Sequence, residues 1–255
     1  MANVFEFHFN PLPKGNFNET GITKHKRFGF LPNNTFKKEN SFFETFCFLP
    51  KTFFEKKQGN LYIVTEVKTP HNQSKVIVNH LANTIKKYFY QKPIFSSHDS
   101  FQLGLNQAND FLKQEVVEKN HTFLSNLHFA SLVTGPKRNI KISKIGNIKI
   151  ILLRGNEAFD IGANFTVERI NDKIFPDVIE GTLQKGDRIL MATPEVFQSF
   201  RAEKIIEQLC LCDNPKLVKQ VFKEKKKIVR EFSGACLLTF IKKNHLISLL
   251  SRFLK

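Results

Sequence analysis

Tryptophan is missing from this chain, methionine occurs twice, and 255 residues hold only 12 glycines and 10 prolines. That scarcity excludes collagen-like and Gly/Pro-rich low-complexity classes. Together with heavy use of lysine, asparagine, isoleucine and phenylalanine, it fits A/T-rich codon usage. Acids are also short. There are 23 Asp and Glu against 39 Lys and Arg, for a net charge of +16 and a pI near 9.7. Such a balance favours acidic partners, nucleic acid or anionic membrane. The same codon bias raises the pI of any protein, so the charge alone assigns no function. No apolar run approaches the ~18–20 residues of a membrane span. Met1–Asn10 has no basic stretch leading into an apolar one, so no signal peptide is expected and the protein is placed in the cytoplasm. The four cysteines, Cys47, Cys210, Cys212 and Cys236, include one C-x-C and no second pair at zinc-ligand spacing. They are expected to be buried thiols in a reducing cytosol. The eight histidines are scattered, with no H-x-H or H-E-x-x-H. Nucleophile elbows and Gly-rich phosphate loops are absent as well.

What is present supports a packed core, since 41% of the residues are hydrophobic. Residues 1–24 are rich in Asn, Pro, Gly and Thr and are read as irregular. Phe42–Phe54 suggests a buried strand or hairpin, Lys56–Asn60 a turn, and Leu61–Val67 a buried strand. Two helical patterns follow, Lys75–Tyr90 and Ser100–Glu118, each with its apolar residues mainly on one face. Pro93 breaks the first, and the short connection makes the two antiparallel neighbours. After Asn120 the period changes to two: Phe129–Thr134, Asn139–Lys144, Lys149–Arg154 and Ala158–Ile161 read as strands with Gly or Pro turns between them. Lys173–Thr182 is read as a loop and Arg188–Ala192 as a buried strand. Helices are expected over Pro194–Phe200, Ala202–Cys212 and Pro215–Val229, then a last buried strand over Cys236–Ile241. His245–Lys255 has Leu246, Leu249, Leu250 and Phe253 on one stripe and suggests a short amphipathic helix, docked on the domain by default. Strands and helices fall in blocks, which indicates α+β layers rather than alternating βαβ units.

Five stretches, in order, carry a resemblance. They are Leu61–Pro70, Leu103–Phe111 (LGLNQANDF), Lys144–Gly155 (KIGNIKIILLRG), Leu183–Val196 (LQKGDRILMATPEV) and Arg230–Ile241. This order resembles the PPM-type metal-dependent protein phosphatases, the protein phosphatase 2C-like family. The resemblance covers 23–243, with 1–22 as an irregular N-terminal extension and 244–255 as the C-terminal helix. It implies an α-β-β-α sandwich: two packed antiparallel β-sheets flanked by helix pairs. It also implies serine/threonine phosphatase chemistry, in which two Mn²⁺ or Mg²⁺ ions held by carboxylates and waters activate a bridging water.

Residue by residue, the same resemblance places the family's metal positions at Asn40, Glu66, Pro194 and Ser233. Glu66 alone of these is acidic. Glycines that follow the family's bridging aspartate, the position of Glu66, correspond to Val67, Thr69 and Pro70. Asn147 stands for the hairpin aspartate, and Glu195 is adjacent to Pro194 without replacing it. Neutral side chains cannot supply the field that paired divalent ions need, and Lys68 beside Glu66 opposes cations further. Glu66 itself is expected to be a surface acid paired with a lysine. The expectation is therefore a pseudophosphatase with no catalytic residue, metal or other cofactor, binding a phosphoprotein or acidic protein partner in phospho-signalling. The alternative is a divergent active phosphatase using Glu66 with Mn or Mg. A weaker alternative is a basic nucleic-acid-associated protein. For that reading, Lys26–Leu31 (KRFGFL) resembles part of an RNA-recognition strand, but Pro32 stops it and no partner strand is evident. Lys223–Lys227 reads most simply as a solvated helix face.

Overall fold

The computed structural model describes residues 3–9, 27–29, 41–68, 70, 73–91, 96–118, 122–163, 174–176 and 178–241. Its first strands are β1 (Asn3–Phe9), β2 (Arg27–Gly29) and β3 (Ser41–Phe48). The short helix α1 (Phe53–Gln58) leads into β4 (Asn60–Lys68). Helices α2 (Ser74–Gln91), α3 (Ser97–Glu118) and α4 (Thr122–Asn126) come next. A meander follows, of β5 (Leu127–Thr134), β6 (Asn139–Ile145), β7 (Lys149–Arg154) and β8 (Glu157–Asp160). The chain then forms β9 (Ile179–Thr182) and β10 (Arg188–Ala192). Helices α5 (Pro194–Ala202), α6 (Ile205–Cys210), α7 (Pro215–Glu224) and α8 (Lys226–Val229) precede β11 (Gly234–Phe240).

The strands form two sheets, in the orders β2-β1-β11-β10-β7-β8 and β3-β4-β5-β6-β9. Pairing is antiparallel throughout except for short β2, which runs parallel to β1. Alternation of side chains along each strand sorts the apolar residues into layers. Tyr62, Val64, Leu132, Ile142, Ile150, Ile189, Met191 and Leu237 pack between the sheets. Leu61, Ile63 and Phe129 turn the other way, onto Leu81, Ile85, Phe101 and Leu105 of the α2–α3 pair. On the opposite outer face, Phe5, Phe7, Phe9, Leu190 and Leu238 pack against α5, α6 and α7. The result is the α-β-β-α sandwich and α+β class expected.

Three local readings are corrected. Within the stretch read as irregular, Asn3–Phe9 is a strand along the whole of β11: Phe5, Phe7 and Phe9 bury one face of an alternating pattern. The expected turn at Lys56–Asn60 is mostly α1, started by a capping box between Thr52 and Glu55. The expected loop at Lys173–Thr182 ends in β9, an edge strand on β6 whose four residues are all exposed. The helix expected over 244–255 lies outside the described residues. No helix among the described residues is long and apolar enough to cross a membrane.

Candidate functional site

One end of the sandwich gathers the residues of interest, and the strand pairings show why. β6 ends at Ile145, and the chain turns through Gly146–Ile148 into β7 in the other sheet. The end of β6 pairs with the start of β5, and the start of β5 with the end of β4. In the facing sheet the start of β7 pairs with the end of β10, the end of β10 with the start of β11, and the start of β11 with the end of β1. The ends of β4, β6 and β10 and the starts of β5, β7 and β11 therefore lie together.

Glu66 sits near the end of β4 with the parity of Tyr62 and Val64, so its side chain is directed between the sheets. It is 4% exposed. This corrects the surface-acid expectation: β4 is an interior strand, flanked by β3 and β5, and water reaches neither of its faces. The cross-strand neighbours of Glu66 are Phe43 and His128. His128 is buried, and its Nδ1 accepts the backbone N–H of Asn147 at 3.1 Å. That bond leaves the imidazole proton on Nε2, which has no hydrogen-bond partner among the described residues. Burial, and then the charge of Lys68, hold its pKa below the usual histidine range. Gly146 is required beside it. Its φ is +68°, and a Cβ there would stand 2.2 Å from His128 Nδ1.

Lys144 continues the inward parity of Ile140 and Ile142 on β6. Its ammonium is buried and donates to the carbonyl of Gly162 at 2.8 Å. Desolvation pushes its pKa down, partly offset by Asp160. Asp160 in turn pairs with Lys149 Nζ at 2.9 Å and accepts the N–H of Gly162 at 3.1 Å. This chain of contacts fastens β6 to the β7–β8 hairpin across the two sheets.

The facing sheet contributes Thr193, Pro194 and Ser233. Thr193 is fully buried. Its N–H donates to Ala235 O at 3.0 Å, and its Oγ1 accepts the N–H of Ala235 at 3.2 Å. Pro194 opens α5 at its first position, where its missing N–H costs nothing. Glu195 is exposed and accepts the backbone N–H of Ser233 at 3.2 Å. Of the residues expected at metal positions, Pro194 and Ser233 thus lie next to bonded neighbours at the end of one sheet, and Glu66 stands at the same end of the other. Asn40 lies outside the described residues. His128, Lys144 and the Lys149–Asp160 pair are not among the residues that the sequence singles out. The available signal was a lysine at an inward strand position, after Ile140 and Ile142. Among the described residues, no three His, Cys, Asp or Glu side chains form a group that could hold a metal ion.

No protein-family model matches the chain, and no curated protein matches its sequence. Solved structures do match. A bacterial serine phosphatase superposes with a TM-score of 0.59 at 11% identity, over 81% of this chain and 100% of that one. The catalytic domain of the serine/threonine protein phosphatase PstP, in complex with two manganese ions, gives 0.55 at 12% identity, over 80% and 98%. The PP2C phosphatase domain of SpoIIE from Bacillus subtilis, with a fragment of its regulatory domain, gives 0.54 at 12% identity, over 81% and 65%. With its sheet order, helix pairs and these structural likenesses taken together, the chain has the PPM-type, protein phosphatase 2C-like fold.

Proposed function

We propose that this chain is a PPM-like pseudophosphatase, a domain retained for binding or regulation in phospho-signalling and not for hydrolysis. The observation that carries this reading is the buried Lys144 ammonium at the end of the sandwich that also holds Glu66, Pro194 and Ser233, the residues to which the resemblance assigns the family's metal positions. Two divalent cations between the sheets need several carboxylates around them. Proline offers no side-chain donor, serine offers a neutral one, and a fixed ammonium repels metal ions. The residues do not suit a pair of metals. The chain's net charge of +16 suits a phosphorylated or otherwise acidic protein partner. The four free thiols accord with a reducing, cytoplasmic setting.

The test is turnover of a phosphopeptide with Mn²⁺, beside a Glu66→Ala control, with thermal melts in the presence and absence of the metal. The expected outcome is no turnover above the control and no Mn²⁺-dependent rise in melting temperature. Metal-dependent turnover that Glu66→Ala abolishes would instead establish the divergent single-metal phosphatase.

A further inference from the structure

At the end of the sandwich remote from Glu66, the chain leaves two large aromatic rings in water. Phe53 is 68% exposed and Phe54 57%. Both are in α1, which joins the end of β3 to the start of β4. Their rings meet edge to face with centroids 5.9 Å apart, and Lys57 Nζ lies 5.0 Å from the Phe53 centroid and 6.0 Å from that of Phe54. The helix is firmly set. Thr52 Oγ1 accepts the N–H of Glu55, and Glu55 Oε2 accepts the N–H groups of Thr52 and Lys51. The acid of this helix is thereby bound to backbone, while Lys51 and Lys57 stay exposed.

More positive charge lies at the C-terminal end of the same short helix. Gly59 caps α1, and a Cβ on it would lie 2.4 Å from Thr134 O and 2.9 Å from Gly135 Cα, so the β5–β6 turn abuts the helix end. That turn exposes Lys137 and Arg138. None of Lys51, Lys57, Lys137 and Arg138 forms an ion pair among the described residues. β11 also ends here. Ile241 donates to Asp187 O at 2.9 Å.

We propose that the Phe53–Phe54 pair and its ring of cations form a docking surface for an anionic lipid bilayer. Protruding aromatic rings insert at the level of the headgroups, and lysines and arginines around them attract acidic lipids. The apolar feature is two side chains standing out of the surface and not a groove. It is far short of the ~800 Å² per partner that a stable protein interface buries. The site is separate from Glu66 and Lys144 and does not depend on the reading of that end.

The experiment is co-sedimentation of the full chain with phosphatidylcholine vesicles, with and without a minority of phosphatidylserine. Parallel measurements use Phe53→Ser/Phe54→Ser and Lys57→Gln/Arg138→Gln. Both doubles change exposed residues, and circular dichroism melts confirm that they fold. Binding is expected only with phosphatidylserine, weakening as salt is raised. Loss of the rings should cost at least about tenfold in affinity, and loss of the two cations a smaller factor. Failure of the parent protein to sediment at low salt overturns the proposal. So does binding that the Phe double variant leaves intact, which would place the contact elsewhere on the chain. Equal, Phe-dependent binding to single-stranded RNA in place of vesicles overturns it as well.

Discussion

His128 shows how a single residue takes its properties from neighbours distant in sequence. The Asn147 amide on Nδ1, burial between the sheets and the charge of Lys68 all favour the neutral ring. The unfolded imidazole takes up a proton as the pH falls past about 6.5, and the folded one does so only at lower pH. The stabilisation tied to the neutral ring is therefore fully present above about pH 6.5. It declines as the pH drops toward the folded pKa, then levels off. Urea melts across pH 7 to 5 should show this decline, and His128→Gln should remove part of the slope; an unchanged slope in the variant would exclude His128 as its source. None of this was legible in sequence, where a histidine at a strand position gives no clue to its partners. Glu66 makes the same point in reverse. The acid beside Lys68 suggests a surface pair, yet the strand carrying it is interior to its sheet.

Elements with strong periodicity were legible. α2 and α3 carry apolar residues at helical spacing over several turns, and their observed ends fall within a few residues of the expected ones. α1, with six residues, is too short for a period of 3.6 to show, and β9 has no buried face to produce alternation. β1 does alternate, but it sits among Asn- and Pro-rich neighbours that obscure it. What holds elements to one another lies further from view. Asn109 on α3 accepts the N–H groups of Ile174 at 3.1 Å and Phe175 at 2.6 Å, and donates to Phe175 O at 3.3 Å. This fixes the Phe175 ring against Phe129, edge to face with centroids 5.2 Å apart. Asn109→Ala should cost about 2–4 kcal/mol in urea melts, because it leaves buried backbone groups without partners. A loss under about 0.5 kcal/mol would show that water replaces the amide without penalty.

For the whole molecule, a net charge of +16 sets the long-range electrostatics. Like charges repel in the compact state, and added salt screens them. Raising sodium chloride from about 10 mM to about 300 mM should therefore raise the melting temperature. A fall would mean that local pairs such as Lys149–Asp160 and Arg154–Asp187 outweigh the global repulsion. The order of the main elements and the layered α+β architecture were readable from the chain. Each depends on residue identity or on local periodicity, which primary structure carries directly. The company those residues keep was not readable. It took the β6–β7 crossover and the sheet registers to set Glu66 beside His128, to bury Lys144 against Gly162, and to leave Phe53 and Phe54 outside. Side chains alternate between faces with a period of two, so a one-residue change of register would exchange what is buried for what is exposed, and long-range strand pairing selects between them.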